Sequence, residues 1–439
     1  MKYGRLVTVQ ARSLNLDQLL DEPIDWRYKS FPAGPPTPIR AVRARGWNVL
    51  GGEFMLPVMV LKESALRHNS KLMASYCRRH DVLLAPHGKT PMSPQLLKMQ
   101  LDDGAWAVTA ATMSQVRIWR AFGVERVILA NELVEPASVR WVAGEMLADP
   151  GFDFYCLVDS VAGVRLLESA LGGTGLEKRL RVLLEVGPQG GRAGCRTGKQ
   201  AQEVARAVAA SGHLALAGVE AFEGVIHGET LAGTLEAVDR FLDGMRAIAG
   251  ELDAAGLFAQ VAEVIVTAGG SAFPDRAVAC LGGSWQLSRP VRLVLRSGCY
   301  LTHDAVHYSH LSPFGGRIPE TGPLEEALEV WGAVLSLPEP GLALVGFGKR
   351  DVSYDHELPV PRLVKTAGPQ PPRPMRGEAS IVALNDQHAF MKVDAKATLK
   401  VGDLVGCGIS HPCTAFDKWR LIPVVDDAYR VLDAILTYF

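Results

Sequence analysis

The sequence lacks the features that mark membrane, secreted or nucleic-acid-binding proteins. None of its apolar runs reaches the roughly 20 residues that span a bilayer, and its first five residues lead into no secretory apolar core. The 46 basic and 47 acidic side chains give a net charge of -1, so no charge excess favours nucleic acid or an anionic membrane. Seven cysteines, an odd number without a spaced framework, indicate reduced thiols. We therefore expect a cytoplasmic protein with neither nucleic acid nor membrane as partner.

What the chain does have is length and an ordinary globular composition. Its 439 residues are 48% hydrophobic and 21% charged, which is enough for a large core and more than one domain. Residues 1–56 read as an N-terminal accessory segment, because the proline-rich stretch 31–38 cannot be regular structure. This segment could fold back onto the last part of the chain.

Apolar strand-like runs alternate with helical patterns between Val82 and Arg296. The eight runs cover residues 82–85, 105–109, 126–130, 152–158, 181–186, 216–220, 263–267 and 291–296. Eight strand–helix units predict a TIM-like (β/α)8 barrel, which we place at residues 57–305 with its first strand-like run, 57–61, included. An open doubly wound sheet is the alternative, but it does not require eight units.

The pattern changes after Tyr300. Short strand candidates separated by Gly, Pro and Asp follow one another to the end of the chain. The predicted fold class is therefore α/β, a (β/α)8 barrel followed by a C-terminal mainly-β domain at residues 306–439.

One lysine stands where such a barrel builds its active site. Leu83 and Leu84 lie in the first strand, and the turn at residues 85–91 (Ala-Pro-His-Gly-Lys-Thr-Pro) places Lys89 beyond the carboxyl end of that strand. A lysine desolvated there can act as nucleophile or base. Lys89 is therefore the candidate catalytic residue, the alternative being a surface lysine in a strand-to-helix turn.

Three further motifs follow the fifth, seventh and eighth strands. The Gly-rich turn around Arg192 offers an arginine fork for a carboxylate or phenolate oxygen. The loop with Gly269, Gly270 and Ser271 reads as a nest of backbone N–H groups for an anion, at the usual phosphate position of a barrel. Tyr300, in the turn after the eighth strand, could bring its hydroxyl to the same phosphate.

A possible metal pair lies in the β domain. His411 and Cys413 offer an imidazole nitrogen and a thiolate, both suited to zinc. Two ligands do not close a structural site, but they could form an open catalytic one. A buried cysteine beside a hydrogen-bonded histidine remains the alternative, and His388 is ambiguous in the same way.

Together these motifs resemble a known family. Residues 86–90 (Pro-His-Gly-Lys-Thr) are similar to the cofactor-lysine motif of the fold-type III pyridoxal phosphate enzymes, whose alanine racemase-like barrels include D-threonine aldolase and D-serine dehydratase. The Arg192-x-Gly194 motif, the 267–271 loop and the 297–300 turn (Ser-Gly-Cys-Tyr) occur in the family's order. The resemblance covers about residues 57–420.

The resemblance implies a cofactor and a role for each motif. Lys89 would hold pyridoxal 5'-phosphate as a Schiff base and, once displaced by a D-amino acid, remove its α-proton. Arg192 would take the ring oxygen or the substrate carboxylate. The phosphate would be bound by Gly269, Gly270, Ser271 and Tyr300. The family also suggests a homodimer.

In this family the β domain carries a metal pair, His-x-Cys in the dehydratases and His-x-Asp in the aldolases. Here the pair is His411 and Cys413, so the resemblance implies a dehydratase in which zinc or a similar divalent ion helps the β-hydroxyl leave. A D-serine, D-threonine or D-threo-3-hydroxyaspartate type of substrate would give a 2-oxo acid and ammonia. Residues 385–388 (Asn-Asp-Gln-His) depart from the usual acidic pair, so His388 is only a candidate neighbour of the site.

Three other functions remain open. A D-threonine-type aldolase would cleave the Cα–Cβ bond to give glycine and an aldehyde. An amino-acid racemase would need a second acid/base and no metal. A non-catalytic pyridoxal phosphate carrier resembles a barrel alone, so the β domain and the metal pair count against it.

Overall fold

The computed structural model describes residues 14–394 and 398–439. Within these residues no helix has both the length and the apolar character needed to cross a membrane. The chain begins with short elements, namely α1 (Asp17–Leu20), β1 (Pro23–Ile24), β2 (Thr37–Pro38), 3-10 turns at Ile39–Ala41 and Arg43–Arg45, and β3 (Val58–Lys62).

Eight parallel strands then form one sheet in the order β4-β11-β10-β9-β8-β7-β6-β5. They are β4 (Leu83–Leu84), β5 (Val108–Ala110), β6 (Arg126–Glu132), β7 (Asp153–Val158), β8 (Leu180–Val186), β9 (Leu214–Ala221), β10 (Val264–Ala268) and β11 (Val291–Leu295). The sheet closes between its ends, since the Trp106 N–H donates to the Leu84 carbonyl at 2.7 Å and the Gly88 N–H to the Thr109 carbonyl at 2.8 Å. The eight predicted strand runs are all present.

Helices surround the sheet and cover its outer face. They are α2 (Glu63–Arg79), α3 (Pro94–Asp102), α4 (Met113–Ala121), α5 (Pro136–Ala148), α6 (Val161–Leu171), α7 (Gly198–Ala210), α8 (Leu231–Ala254) and α9 (Pro274–Leu281). A separate small cluster fills the barrel interior, with Ile128, Leu157, Leu183, Ile265 and Val294 among its members. Both faces of each strand are thus buried, which explains why the strands read as continuous apolar runs.

The C-terminal domain is a mainly antiparallel sheet. A short helix, α10 (His307–Leu311), and a 3-10 turn at Pro319–Thr321 lead into it. Its elements are β12 (Leu328–Glu339), β13 (Leu342–Val345), β14 (Val360–Lys365), β15 (Arg373–Pro374), β16 (Ala379–Leu384), β17 (Ala389–Val393), β18 (Leu404–Gly408), α11 (Cys413–Phe416), β19 (Leu421–Val425) and β20 (Val431–Leu436). The predicted α/β class, a (β/α)8 barrel followed by a mainly-β domain, is confirmed.

One strand lies in a different sheet from the one we expected. The apolar run at residues 57–61, assigned above to the barrel region, forms β3, which pairs with β12 and β19 of the C-terminal domain. An apolar strand buried on both faces looks the same in either sheet, so its sequence does not reveal its partner. Helix α2 therefore carries the chain from the β domain into the barrel.

The N-terminal segment packs on the β domain. Its buried side chains, among them Phe31, Ile39 and Phe54, share one core cluster with Trp331 and Tyr429. Lys29 adds an ion pair, with its ammonium 2.8 Å from the Asp351 carboxylate and 3.6 Å from the Trp419 ring centroid. The first described residues thus support the same loops that carry the candidate metal ligands.

Candidate functional site

Lys89 lies in a tightly held turn beyond β4. The Thr109 hydroxyl donates to the Ala85 carbonyl at 2.7 Å, and the Met92 N–H donates to the Gly88 carbonyl at 3.0 Å. Position 88 must be glycine, because a Cβ there would lie 2.6 Å from the Trp119 ring. These contacts fix the backbone on both sides of Lys89, whose side chain faces a cavity.

Two adjoining cavities meet at Lys89. The barrel-side cavity, about 250 Å³, is lined by side chains from the strand ends, including Glu132, Glu185, Arg192 and Glu220. The domain-side cavity, about 360 Å³, lies toward the C-terminal domain and is lined by Thr90, Cys299, His307, Tyr308, His411 and Cys413, among others. Arg296 and Gly270 line both.

Arg296 lines the barrel-side cavity and links neighbouring strands there by hydrogen bonds. It is only 5% exposed, and its guanidinium donates to the Thr267 hydroxyl at 2.8 Å, to the Ala221 carbonyl at 3.0 Å and to the Glu220 carboxylate. Burial raises the pKa of Glu220 to about 7, while the Arg296 charge acts in the opposite direction. An arginine buried this deeply beside a carboxylate gives the floor a fixed geometry.

Glu185 holds a proton in the same cavity. Burial raises its pKa to about 10, and a hydrogen bond shared with the Glu132 carboxyl contributes further. The Glu185 carboxyl is therefore protonated at neutral pH, where an ordinary glutamate is ionised.

The barrel-side cavity contains polar atoms without partners. Glu220 Oε2 and His87 Nδ1 are buried and make no hydrogen bond within the residues that the structure describes. Burial also lowers the pKa of His87 well below its usual value, so its ring is neutral. Buried polar atoms require partners, and a bound ring carrying nitrogen and oxygen atoms would supply them. The cavity thus fits the pyridine end of pyridoxal phosphate, with Lys89 at its edge.

Arg192 is placed in this cavity by the loop after β8. Its guanidinium lies 4.6 Å from the Phe222 ring centroid, a stacked position at the cavity wall. The loop is held by Arg196, which sequence reasoning missed and which donates to the carbonyls of Gly191, Ala193 and Gly194 at 3.1, 2.6 and 2.9 Å.

Two N–H groups of the predicted phosphate loop already donate hydrogen bonds to a carboxylate of the chain itself. The N–H groups of Gly269 and Gly270 donate to the buried Glu223 carboxylate at 3.2 and 2.7 Å. In the part of the chain that the structure describes, the N–H groups of Ser271 and Ala272 make no hydrogen bond, and both residues line the domain-side cavity. The N–H groups that could bind a phosphate are thus those of Ser271 and Ala272, two residues beyond the predicted glycines and just before α9.

Tyr300 points away from both cavities. Its hydroxyl accepts a hydrogen bond from the Gln100 side chain at 3.0 Å, and its ring is buried in the main core. The preceding residue, Cys299, lines the domain-side cavity instead. Ser271 joins this turn to the phosphate loop, because its hydroxyl accepts from the N–H groups of Gly298 and Cys299 at 3.3 and 3.1 Å.

His411 is oriented by a carboxylate. Its Nδ1 lies 2.6 Å from Asp355 Oδ2, and the Thr414 hydroxyl donates to the other oxygen of Asp355 at 2.6 Å. Such a contact fixes the ring and leaves Nε2 free to bind a metal. The His356 ring centroid lies 4.6 Å away, and Asp355, His356 and His411 together could hold an ion.

Cys413 lies on the lysine side of the same cavity. Its sulfur is 3.1 Å from the Thr90 hydroxyl and 3.6 Å from the Cys299 sulfur. The hydrogen bond from Cys299 lowers the pKa of Cys413 to about 7 despite its burial, with Thr90 and the Lys89 charge acting in the same direction. The residues present therefore fit a divalent metal in the cavity that Lys89 also lines.

The structure thus brings most of the predicted residues together. Lys89, Arg192, Gly270, Ser271, His411 and Cys413 line the two cavities. Gly269 lies beneath the loop, and His388 is exposed outside both cavity linings. Sequence reasoning gave no role to Glu185, Glu220 or Asp355, although each glutamate ends a barrel strand, a position that signals function.

Known proteins share this architecture. The family model described as "Putative serine dehydratase domain" matches residues 327–425. The 3-hydroxy-D-aspartate aldolase of Paracoccus denitrificans (strain Pd 1222) is 26% identical over 355 residues, which cover 80% of this chain and 83% of the aldolase. The D-threonine aldolase structure from Filomicrobium marinum aligns with a TM-score of 0.71 at 22% identity, covering 88% of this chain and 95% of that one.

A D-threo-3-hydroxyaspartate dehydratase from Delftia sp. HT23 aligns with a TM-score of 0.65 at 19% identity, covering 88% of this chain and 97% of that one. The relatives share the barrel, the β domain and nearly their whole length with this chain. The predicted resemblance to the fold-type III pyridoxal phosphate enzymes, the alanine racemase-like family of D-serine dehydratase and D-threonine aldolase, is therefore confirmed, and these relatives support an enzyme of the pyridoxal phosphate-dependent lyase type.

Proposed function

We propose that this enzyme eliminates water from a D-β-hydroxy amino acid, and that the released enamine then hydrolyses to a 2-oxo acid and ammonia. The observation that carries the proposal is the half-buried Cys413 thiol, which lies in the same cavity as Lys89 and His411. A thiolate and an imidazole are ligands suited to zinc, which can act as a Lewis acid on a hydroxyl leaving group. The dehydratase in the family provides a precedent for this reaction.

The barrel-side residues would bind and orient the reacting molecule. Bound pyridoxal phosphate supplies an electron sink that makes the α-proton of an amino acid acidic. Lys89 would hold the cofactor and accept that proton at Nζ. Arg192 would bind a carboxylate or the ring oxygen, and the N–H groups of Ser271 and Ala272 would bind the phosphate.

The domain-side residues would act on the hydroxyl. Asp355 holds the His411 ring by its Nδ1 atom, so that Nε2 faces away from the carboxylate. The Thr90 hydroxyl holds the Cys413 sulfur beside the lysine turn. The α-proton acceptor and the metal ligands therefore belong to one cavity, as elimination across the Cα–Cβ bond requires.

The test measures products before and after chelation. The enzyme is incubated with D-serine, D-threonine and D-threo-3-hydroxyaspartate, and ammonia and 2-oxo acid are quantified. We expect both products, loss of both after chelation, and recovery with zinc. Formation of glycine and an aldehyde without 2-oxo acid would contradict the proposal.

Retro-aldol cleavage is the second candidate, and a specific observation favours it. Aldol cleavage needs a base for the β-hydroxyl, and the His307 ring, stacked on His356 at 4.3 Å, lines the domain-side cavity. Relatives named as aldolases add support. Glycine release from D-threonine distinguishes this reaction from dehydration.

The proposal includes a dimeric cytoplasmic enzyme. Free cysteines throughout the described residues agree with a reducing compartment. Light scattering on the purified protein tests the dimer, and a monomer mass would contradict it.

A further inference from the structure

The domain-side cavity has apolar walls around the residues that carry the proposed chemistry. Its lining includes Phe222, Leu231, Phe273 and Leu311. Phe222 follows β9, Leu231 begins α8, Phe273 precedes α9 and Leu311 ends α10. Four separate parts of the chain thus each contribute an apolar side chain to one cavity of about 360 Å³.

Two of these side chains have well-defined positions. The Phe222 ring centroid lies 4.6 Å from the Arg192 guanidinium, and a Cβ at Gly224 would lie 2.5 Å from the ring, so the ring needs glycine there. Leu311 follows His307 by four residues on α10, and residues with that spacing share a helix face. His307 lines the same cavity, so Leu311 lies one helical turn from its histidine side.

Cationic side chains are scarce in the same lining. Among the residues that the structure describes, Lys89 and Arg296 are the lysine and arginine that line it. Lys89 is assigned to the cofactor by the proposed function, while Arg296 is 5% exposed and already bonded to the Glu220 carboxylate. The exposed Glu229 adds a negative charge to the lining. A second carboxylate on a substrate would therefore lose water there without gaining a cation from these residues.

The β-substituent of the substrate belongs in this cavity. Under the proposed function, Lys89 Nζ accepts the α-proton where the two cavities meet, and the metal ligands His411 and Cys413 act on the β-hydroxyl from the domain side. The β-carbon carries both that hydroxyl and the remaining substituent, so the substituent reaches the same cavity. Apolar walls with a few orienting polar groups are the usual lining of a ligand pocket.

We propose that the substrates are D-β-hydroxy amino acids with an apolar β-substituent, such as an aromatic ring, and that a second carboxylate is selected against. This inference rests on the proposed function and deepens it by naming the substrate class. Burial of an apolar group is favourable, whereas burial of an unpaired carboxylate is costly. The inference separates this chain from relatives named for 3-hydroxy-D-aspartate, an amino acid with a carboxylate at that position.

The first experiment compares D-threo-3-phenylserine with D-threo-3-hydroxyaspartate as substrates of the full-length holoenzyme. The assays run at about pH 8, where an ordinary imidazole is neutral. Loss of each amino acid is followed, so that dehydration and aldol cleavage both register. We expect kcat/KM to be at least about 100-fold higher for phenylserine. An equal or higher value for hydroxyaspartate would overturn the inference, whereas consumption of neither amino acid would count against the proposed function.

The second experiment needs no reaction at the β-carbon. D-Phenylalanine and D-aspartate lack the β-hydroxyl, so neither dehydration nor aldol cleavage is possible, but each can bind through its amino group. Titration of the holoenzyme, followed by the absorbance of the bound cofactor, gives a dissociation constant for each. We expect D-phenylalanine to bind at least about tenfold more tightly. Equal or tighter binding of D-aspartate would contradict the inference even if the proposed reaction were correct.

A substitution in the lining should shift the preference. Leu311→Lys adds a cation and should raise kcat/KM for hydroxyaspartate relative to phenylserine by about tenfold or more. Leu166→Lys is the matched control, because it changes a 46% exposed leucine on α6 outside both cavity linings. An unchanged ratio in folded Leu311→Lys would count against the inference. The two experiments on the unmodified enzyme decide the question if this variant does not fold.

Discussion

The two cavities that meet at Lys89 are built in different ways. The barrel-side cavity is lined by the ends of neighbouring strands, with Glu185 on β8 and Glu220 on β9. The domain-side cavity combines Thr90 and Cys299 from barrel turns with His411 from the β domain. The first follows directly from the barrel topology, whereas the second exists only because two domains pack together. One cavity wall is thus set by the barrel topology, and the other is assembled where the two domains pack together.

The largest expected effect comes from Lys89, which lines both cavities. Lys89→Ala would remove the proposed cofactor attachment and proton acceptor, and we expect turnover to fall about 10³-fold or more. The absorbance of bound cofactor should change with it. Metal affinity, measured by chelator competition, should remain, because the candidate metal ligands His411 and Cys413 are untouched.

Lys98→Ala is the matched control for that change. Its ammonium pairs with Asp102 at 2.7 Å on α3, outside both cavities. It should leave turnover and cofactor absorbance unchanged. Normal turnover in Lys89→Ala would mean that the two cavities do not meet at a catalytic residue.

A smaller effect should be confined to the domain side. Asp355→Asn weakens the contact that orients His411, and loss of such a partner typically lowers metal affinity by about 10–100-fold. Chelator competition measures the affinity, and cofactor binding should not change. Asp386→Asn, which alters an exposed carboxylate paired with Arg350, serves as the control. Equal metal affinities in the two variants would contradict the assignment.

The same contrast explains what the sequence could predict. The eight strands were predictable because parallel strands buried on both faces give apolar runs at regular intervals. The strand that pairs with β3 was not predictable, since β3 and β12 lie far apart in the chain. Lys89 was predictable from its place beyond a strand. The meeting of Cys299 with Cys413 depends on domain packing, which no local pattern encodes.

Tyr300 shows a limit of a different kind. The residues of the 3-10 turn Cys299–Leu301 point in different directions, so that Cys299 faces the cavity while Tyr300 faces Gln100. A motif places a turn near a site, but the direction of each side chain depends on the turn's dihedral angles. Asp355 lacked even a motif, since a single carboxylate in a loop carries no spacing signal.

Thr90 allows a finer test of how the two cavities are linked. Thr90→Val removes the hydroxyl that lies beside Cys413, and loss of one hydrogen bond of about 1 kcal/mol should weaken metal binding about fivefold. Thr90→Ser keeps the hydroxyl and should retain the original affinity. Chelator competition provides the measurement. An unchanged affinity in Thr90→Val would show that the lysine turn does not support the metal side.

The last expected effect belongs to the barrel side and concerns stability rather than metal binding or turnover. The pKa of Glu185 is raised by burial to about 10, while an unfolded glutamate ionises near about 4.3. Between these values the folded chain holds a proton that the unfolded chain has released, so stability falls as pH rises through this window. Glutamine is neutral at every pH, so Glu185→Gln removes this contribution. We expect its unfolding free energy to fall less steeply between about pH 6 and about pH 9, by at most about 1.4 kcal/mol per pH unit.

Urea unfolding followed by circular dichroism measures how the unfolding free energy changes with pH. Glu177→Gln, at an exposed position, should keep the slope of the unmodified enzyme. Identical slopes in the two variants would mean that Glu185 is ionised in the folded enzyme.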